Sequence, residues 1–144
     1  MQKEEMSKKI IEVVRKYPVG ALATIKDGKP WVRFVVFVAA DDLTLYSTTF
    51  AQSRKIEQLR KNHHVHIALG MDPGNWTVPY INVEGTAEVL TDSKTKSKFW
   101  KEEFKQYYQG PDDPNYVIIK ITPVTIEYMA MGARQPEVYM AEPT

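Results

Sequence analysis

The 144-residue chain contains no cysteine. This absence excludes a disulfide scaffold, an iron–sulfur cluster, a thiolate zinc site and a cysteine nucleophile. The sequence also lacks an apolar run approaching the roughly 20 residues that a membrane span requires, and no signal-peptide pattern opens it. We therefore expect a cytoplasmic protein that neither spans nor binds a membrane.

An excess of charge of either sign is missing as well. The 19 Lys and Arg residues face 18 Asp and Glu residues, which gives a formal net charge of +1. Nucleic-acid-binding domains of this size usually carry a clear basic excess, so we expect no nucleic acid partner. Residues 53–66 nevertheless hold four basic side chains against one acidic one (Arg54, Lys55, Arg60, Lys61 and Glu57). A local basic spot in a neutral protein suits a small anionic ligand better than a polyanion.

The hydrophobic pattern predicts one domain over residues 1–144, with a core at about 7–130 and a C-terminal tail at 131–144. Amphipathic periodicity predicts helices at 7–17, 53–62 and 93–109, the last with an aromatic face. β-rich runs predict strands at 21–25, 31–39, 43–48, 64–69, 80–90 and 116–128, the last interrupted at Pro123. Asp27-Gly28 predicts a hairpin turn and Gly85 a bulge. We expect the first three strands to form a meander.

Six strands with three peripheral helices indicate a mainly β, α+β fold. Hairpin connections early in the chain favour an antiparallel arrangement. Apolar strands with exposed edges invite aggregation, and closing a small barrel removes those edges. The pattern therefore predicts a small antiparallel barrel of six strands.

Arg33 is the most informative residue, because it lies in an apolar run, Trp31-Val32-Arg33-Phe34-Val35-Val36-Phe37-Val38. A guanidinium in such a run is costly unless something anionic meets it. The period of two places Arg33 on one face with Val35 and Phe37. The residue is either an edge-strand arginine whose head reaches solvent or a ligand for an anion.

Hydroxyl groups and two further cations converge on the loop after the third strand. That strand ends in Tyr46-Ser47-Thr48-Thr49, and the next helix opens with Ser53-Arg54-Lys55. Hydroxyls, a helix N-terminus and cations are suitable chemistry for a phosphate monoester. The alternative is an ordinary serine cap followed by solvated charges.

Together these segments resemble the pyridoxamine 5′-phosphate oxidase-like superfamily, in particular its general stress protein branch. Arg33 in its strand, the 46–49 segment and Ser53-Arg54-Lys55-Ile56 with Asn62 carry the resemblance. The Val-Glu-Gly-Thr-Ala-Glu-Val segment at 83–89 and residues 112–128 extend it, so that it covers about residues 7–130. The resemblance implies the FMN-binding split-barrel fold, a six-stranded antiparallel split β-barrel.

The resemblance also implies a homodimer with FMN in a groove at the subunit interface, and a flavin-dependent oxidoreductase acting on a small molecule. Arg33, Arg54 and Lys55 would hold the phosphate, with Thr49 and Ser53 beside it. The flavin ring would run along the strand, and four further residues would contact the cofactor (Phe34, Val35, Val36 and Thr48). Cations at one end and apolar strand at the other fit an amphiphilic mononucleotide.

Two departures from the oxidases themselves argue against oxidation of pyridoxamine phosphate. Val38 stands where those enzymes have a lysine, and the tail at 132–136 lacks their Arg-x-His substrate segment. Three alternatives stay open. The fold could take the deazaflavin F420, with Lys29 and Lys61 as spare cations for its acidic tail. It could serve as a non-catalytic flavin-binding stress protein. It could bind haem through His63, His64 or His66.

Overall fold

The structure is a computed structural model that describes residues 1–141. Within these residues, three α-helices and one 3-10 helix lie outside a single antiparallel sheet. The helices are α1 (Lys3–Lys16), α2 (Arg54–Lys61), α3 (Ser93–Lys98) and the 3-10 helix Glu102–Gln106. The strands are β1 (Val19–Lys26), β2 (Lys29–Val36), β3 (Val38–Ala39), β4 (Leu45–Phe50), β5 (His64–Leu69), β6 (Tyr80–Leu90), β7 (Tyr116–Met129) and β8 (Glu137–Met140).

The order of the strands forces the sheet to curl. Hydrogen-bonded neighbours follow the path β2-β1-β5-β6-β7-β4-β3, with β8 paired to β7 off this path. β2 and β3 therefore stand at opposite ends of the sheet, although only Phe37 separates them in the chain. A single residue cannot span a flat sheet of seven strands, so the two ends approach each other and the sheet forms a split barrel. The predicted fold is confirmed, with seven strands on the path and an eighth beside it in place of six.

The predicted meander of the first three strands is wrong in its third member. β1 and β2 form the expected hairpin across Asp27-Gly28, and both residues adopt positive φ there. β4, however, pairs with β7, and β1 gives its second edge to β5. The chain leaves β2 at Phe37, whose ring is buried in the core and whose N–H donates to the Pro18 carbonyl at 2.8 Å. β2 is consequently an edge strand, which also explains how it tolerates Pro30.

β6 and β7 form the longest ladder of the sheet, and Gly85 bends it. The register shifts between Glu84 and Gly85, so Val124 on β7 has no partner on β6. A Cβ on Gly85 would lie 2.7 Å from the Thr122 carbonyl oxygen, so a side chain does not fit at this close approach. The bulge predicted at Gly85 is confirmed. β7 passes through Pro123 without interruption, because the proline lies at this bulge.

The predicted helix over residues 93–109 is wrong. α3 ends after six residues at Lys98, and the chain turns at Phe99 before the 3-10 helix. Four of the five residues of the predicted aromatic face nevertheless pack around the fully buried Tyr116 (Phe99, Trp100, Phe104 and Tyr108), whereas Tyr107 is 64% exposed. Trp100 lies 5.3 Å from Tyr116 between ring centroids, and Tyr108 lies 5.1 Å from it. Edge-to-face and tilted ring contacts with this one central ring accompany the break in the helix.

The main core fills the barrel and the space beneath α1 and α2. The apolar stripe of α1 begins earlier than residue 7, since Met6 is already buried. Part of the predicted tail pairs with the barrel, because β8 forms a ladder with β7. Residues 142–144 of that tail lie outside the described residues. None of the helices within residues 1–141 has the length and apolar character needed to cross a bilayer.

Candidate functional site: a cation cluster beside an apolar cavity

Arg33 lies on the face of β2 that turns towards the barrel interior, opposite Leu22 of β1. Its side chain is half-buried, and its Nη1 donates to the Thr24 hydroxyl at 2.7 Å and to the Leu22 carbonyl at 3.2 Å. Its Nη2 donates to the Gln58 amide oxygen at 2.8 Å. All of these acceptors are neutral, so the guanidinium keeps its full positive charge. The head of Arg33 is thus held within the protein and does not trail into solvent.

The N-terminus of α2 approaches the same place. Ser53 occupies the cap position with an extended backbone, yet its side chain makes no capping hydrogen bond. Its hydroxyl instead lies 3.4 Å from that of Thr49 on β4. The first turn of α2 therefore presents amides that no capping side chain satisfies, at the end of the helix where the dipole is positive.

Three cations meet at this helix end, and no carboxylate within residues 1–141 forms an ion pair with them. Burial and the nearby Arg54 lower the pKa of Arg33. Burial and the nearby Arg33 lower the pKa of Lys55 in turn. No ion pair formed within residues 1–141 includes Arg33, Arg54 or Lys55. Mutual repulsion among partly desolvated cations costs stability, and a bound anion would relieve it.

An apolar cavity of about 770 Å³ lies against β2 and β4, the strands that carry Arg33 and Thr49. Phe34, Val35 and Val36 of β2 line one wall, and Thr48 of β4 lies on another. The aromatic segment around Trp100 closes the third wall. The volume falls in the range of cavities that hold cofactors and drug-sized ligands. Among the described residues, the lining of this cavity includes none of the three cations. The cavity and the cluster share two strands, because Phe34 follows Arg33 on β2 and Thr48 precedes Thr49 on β4, although consecutive strand residues face opposite sides of the sheet.

The nine site residues predicted from the sequence thus lie in two adjoining groups. Arg33, Arg54 and Lys55 form the cation cluster, with Thr49 and Ser53 beside it. The other four line the apolar cavity (Phe34, Val35, Val36 and Thr48). Sequence reasoning missed Thr24 and Gln58, the two side chains that hold Arg33. The local sequence pattern carried no signal for either, because a threonine is ordinary on a strand and a glutamine is ordinary on a helix.

The remaining candidates from the sequence lie elsewhere. His64 and His66 point outward from β5 and are exposed. No group of three metal-ligating side chains is found among the residues that the structure describes. Trp76 is 79% exposed and borders a second cavity, of about 490 Å³, that also touches Phe34.

The fold and the cluster together define a split-barrel protein with an uncompensated cation cluster beside an apolar cavity. The sequence profile described as pyridoxamine 5′-phosphate oxidase matches residues 6–130. The chain belongs to this family.

Its relatives place it in the general stress protein branch. General stress protein 26 of Bacillus subtilis is 35% identical over 136 residues, which cover 94% of this chain and 96% of that one. The crystal structure of General Stress Protein 26 from Bacillus anthracis superposes with a TM-score of 0.81 at 37% identity and covers 94% of this chain and 98% of that chain.

A more distant relative is a heme binding protein from Mycobacterium smegmatis. It is 14% identical, has a TM-score of 0.73, and covers 98% of this chain and 59% of that chain. At this identity the likeness shows the shared fold alone.

Proposed function

We propose that this protein binds FMN and acts as a flavin-dependent oxidoreductase on a small molecule. The observation that carries the proposal is a cation cluster that no carboxylate among residues 1–141 pairs with, on the same two strands that line an apolar cavity. FMN has the matching polarity, with a phosphate at one end and a flat, largely apolar ring at the other. Arg33, Arg54 and Lys55 would hold the phosphate, and the β2 wall of the cavity would hold the ring.

The chain's own residues then perform the tasks that a flavoprotein must perform. The cations and the α2 amides bind and orient the phosphate, while the apolar walls keep water from the ring. The bound flavin would supply the redox chemistry. The proposal therefore needs no side-chain nucleophile. It does not extend to oxidation of pyridoxamine phosphate, because Val38 replaces the expected lysine and the Arg-x-His segment is missing.

The first experiment is a titration of the purified protein with FMN, followed by visible absorption and flavin fluorescence. We expect a shifted flavin spectrum with quenched fluorescence, and tighter binding of FMN than of riboflavin, which lacks the phosphate. Matched titrations with F420 and haem test the two alternative cofactors. Binding of F420 without binding of FMN would leave the fold in place and overturn the choice of cofactor. Binding of none of the three would favour a role without any of these cofactors.

We propose in addition that the protein is a homodimer with the cofactor at the subunit interface. The outer face of β2 supports this, since it carries an exposed apolar stripe of Val32, Phe34 and Val36. Phe34 alone is 78% exposed. Contiguous apolar surface of this kind marks an interaction site.

Phe34→Asp tests the dimer, because a carboxylate on this stripe would have to be desolvated on association. We expect the wild-type protein to sediment as a dimer and the variant as a monomer at the same concentration. Val124→Asp is the control, because Val124 is also an exposed apolar strand residue but lies on β7. A wild-type monomer, or a Phe34→Asp variant that stays dimeric, would remove β2 as the interface.

A further inference from the structure

Arg33, Thr24 and Gln58 form a closed ring of hydrogen bonds inside the barrel. Arg33 Nη1 donates to Thr24 Oγ1, Thr24 Oγ1 donates to Gln58 Oε1, and Arg33 Nη2 donates to the same Gln58 oxygen. The ring joins β1, β2 and α2, the three elements on which the cation cluster depends. Thr24 is fully buried and Gln58 nearly so.

The donor and acceptor roles within the ring are fixed by chemistry. A guanidinium only donates, so Gln58 must face Arg33 with its oxygen. The Thr24 hydroxyl already accepts from Arg33, so its own hydrogen goes to Gln58. No hydrogen bond formed within residues 1–141 uses the Arg33 Nε hydrogen or the second hydrogen of Nη2. The ring therefore fixes the guanidinium while leaving donors for a ligand.

Because Thr24 and Gln58 are neutral, the positive charge of Arg33 remains available to an anion. Aspartate or glutamate at these positions would also hold Arg33, but would cancel its charge. Buried polar side chains cost free energy unless they are hydrogen-bonded, and here both are bonded to each other and to Arg33. A threonine and a glutamine thus orient the cation at full charge.

We infer that Thr24 and Gln58 are positioning residues, which hold Arg33 so that it selects the phosphorylated form of the flavin. This inference rests on the proposed function and deepens it. Neither residue needs to touch the ligand. Their effect is exerted through Arg33, and it is therefore expected only for ligands that carry the phosphate.

The test compares Thr24→Val with Thr24→Ser, using FMN and riboflavin as the two probes. Valine keeps the shape of threonine and removes the hydroxyl, whereas serine keeps the hydroxyl. We expect Thr24→Val to weaken FMN binding about tenfold, the usual effect of one hydrogen bond, and to leave riboflavin binding unchanged. Thr24→Ser should retain the wild-type preference for FMN. Thermal unfolding of both variants checks that the barrel is intact.

Three outcomes decide the matter. An equal loss of affinity for FMN and riboflavin in Thr24→Val would reduce Thr24 to a packing residue and overturn the inference. Unchanged affinity for both would show that Arg33 is held without the ring, which also overturns it. A wild-type protein that binds neither flavin, or binds both equally, would contradict the proposed phosphate site itself. That failure is visible before any variant is made.

Discussion

Arg33→Ala is expected to weaken FMN binding by one to two orders of magnitude. The estimate follows from about 1.5–3 kcal/mol for a hydrogen bond to a charged group, converted to a ratio of dissociation constants. The direction follows from the structure, in which Arg33 is partly desolvated, has only neutral partners and lies near two further cations. Titration monitored by flavin fluorescence measures the change. Riboflavin binding should change far less, because riboflavin has no phosphate.

Lys61→Ala is the matched control for this prediction. Lys61 is a cation of the same helix, but it lies two turns beyond the helix start and its Nζ is 3.4 Å from the Glu57 carboxylate. Its side chain is exposed, so its removal should leave FMN affinity nearly unchanged. If Lys61→Ala were the more damaging change, the phosphate would have been placed at the wrong end of α2. Unchanged affinity in Arg33→Ala would make Arg33 an ordinary edge residue.

The cation cluster also links ligand binding to stability. Burial and the neighbouring cations lower the pKa of Arg33 and of Lys55. A bound phosphate would favour their charged forms and raise those pKa values again. A ligand that binds only the folded chain stabilises it further by mass action. The cluster thus lowers the stability of the folded protein, and a bound phosphate would raise it, which is typical of functional sites.

Sequence patterns could identify the cations of this site but not the side chains that position them. Arg33 attracts attention because a charge interrupts an apolar run, and Ser53-Arg54-Lys55 because a hydroxyl and two cations open a helix. Thr24 and Gln58 are ordinary residues for a strand and a helix. Their importance depends on the register that sets Leu22 opposite Arg33 and on the packing of α2 against β1. The strand register and the helix packing are set by contacts between separate parts of the chain, which local periodicity does not reveal.

The same limit explains the errors in the fold. Aromatic residues at 99, 100, 104, 107 and 108 suit one face of a helix, but all of them except the exposed Tyr107 also suit two short turns packed around Tyr116. Residues 43–48 have a strand pattern that identifies no partner, and β4 pairs with β7 about 70 positions further on. Predictions were correct where a residue type itself favours a local conformation, as Asp27-Gly28 does for the hairpin turn and Gly85 for the bulge. Long-range pairing had to come from the structure.

Phe37→Ala is expected to destabilise the fold by about 3–5 kcal/mol, the usual cost of replacing a buried phenylalanine with alanine. Phe37 is 2% exposed, belongs to the main core and is the one residue between β2 and β3. Its ring belongs to the main core at the crossing from β2 to β3, so its loss leaves a cavity in that core. Against a total stability of about 5–15 kcal/mol, this is a large fraction. Urea unfolding curves measure it.

Two further variants make the result interpretable. Trp76→Ala removes an aromatic ring that is 79% exposed and should change stability by less than about 0.5 kcal/mol. Phe37→Leu keeps most of the buried volume and should cost less than about 1.5 kcal/mol, so it reports on the same site if the alanine variant does not fold. If Phe37→Ala unfolded no more readily than Trp76→Ala, the crossing from β2 to β3 would carry no core packing. The barrel would then be held together by its β6–β7 and β4–β7 ladders, and the opposed ends of the sheet would contribute little to its closure.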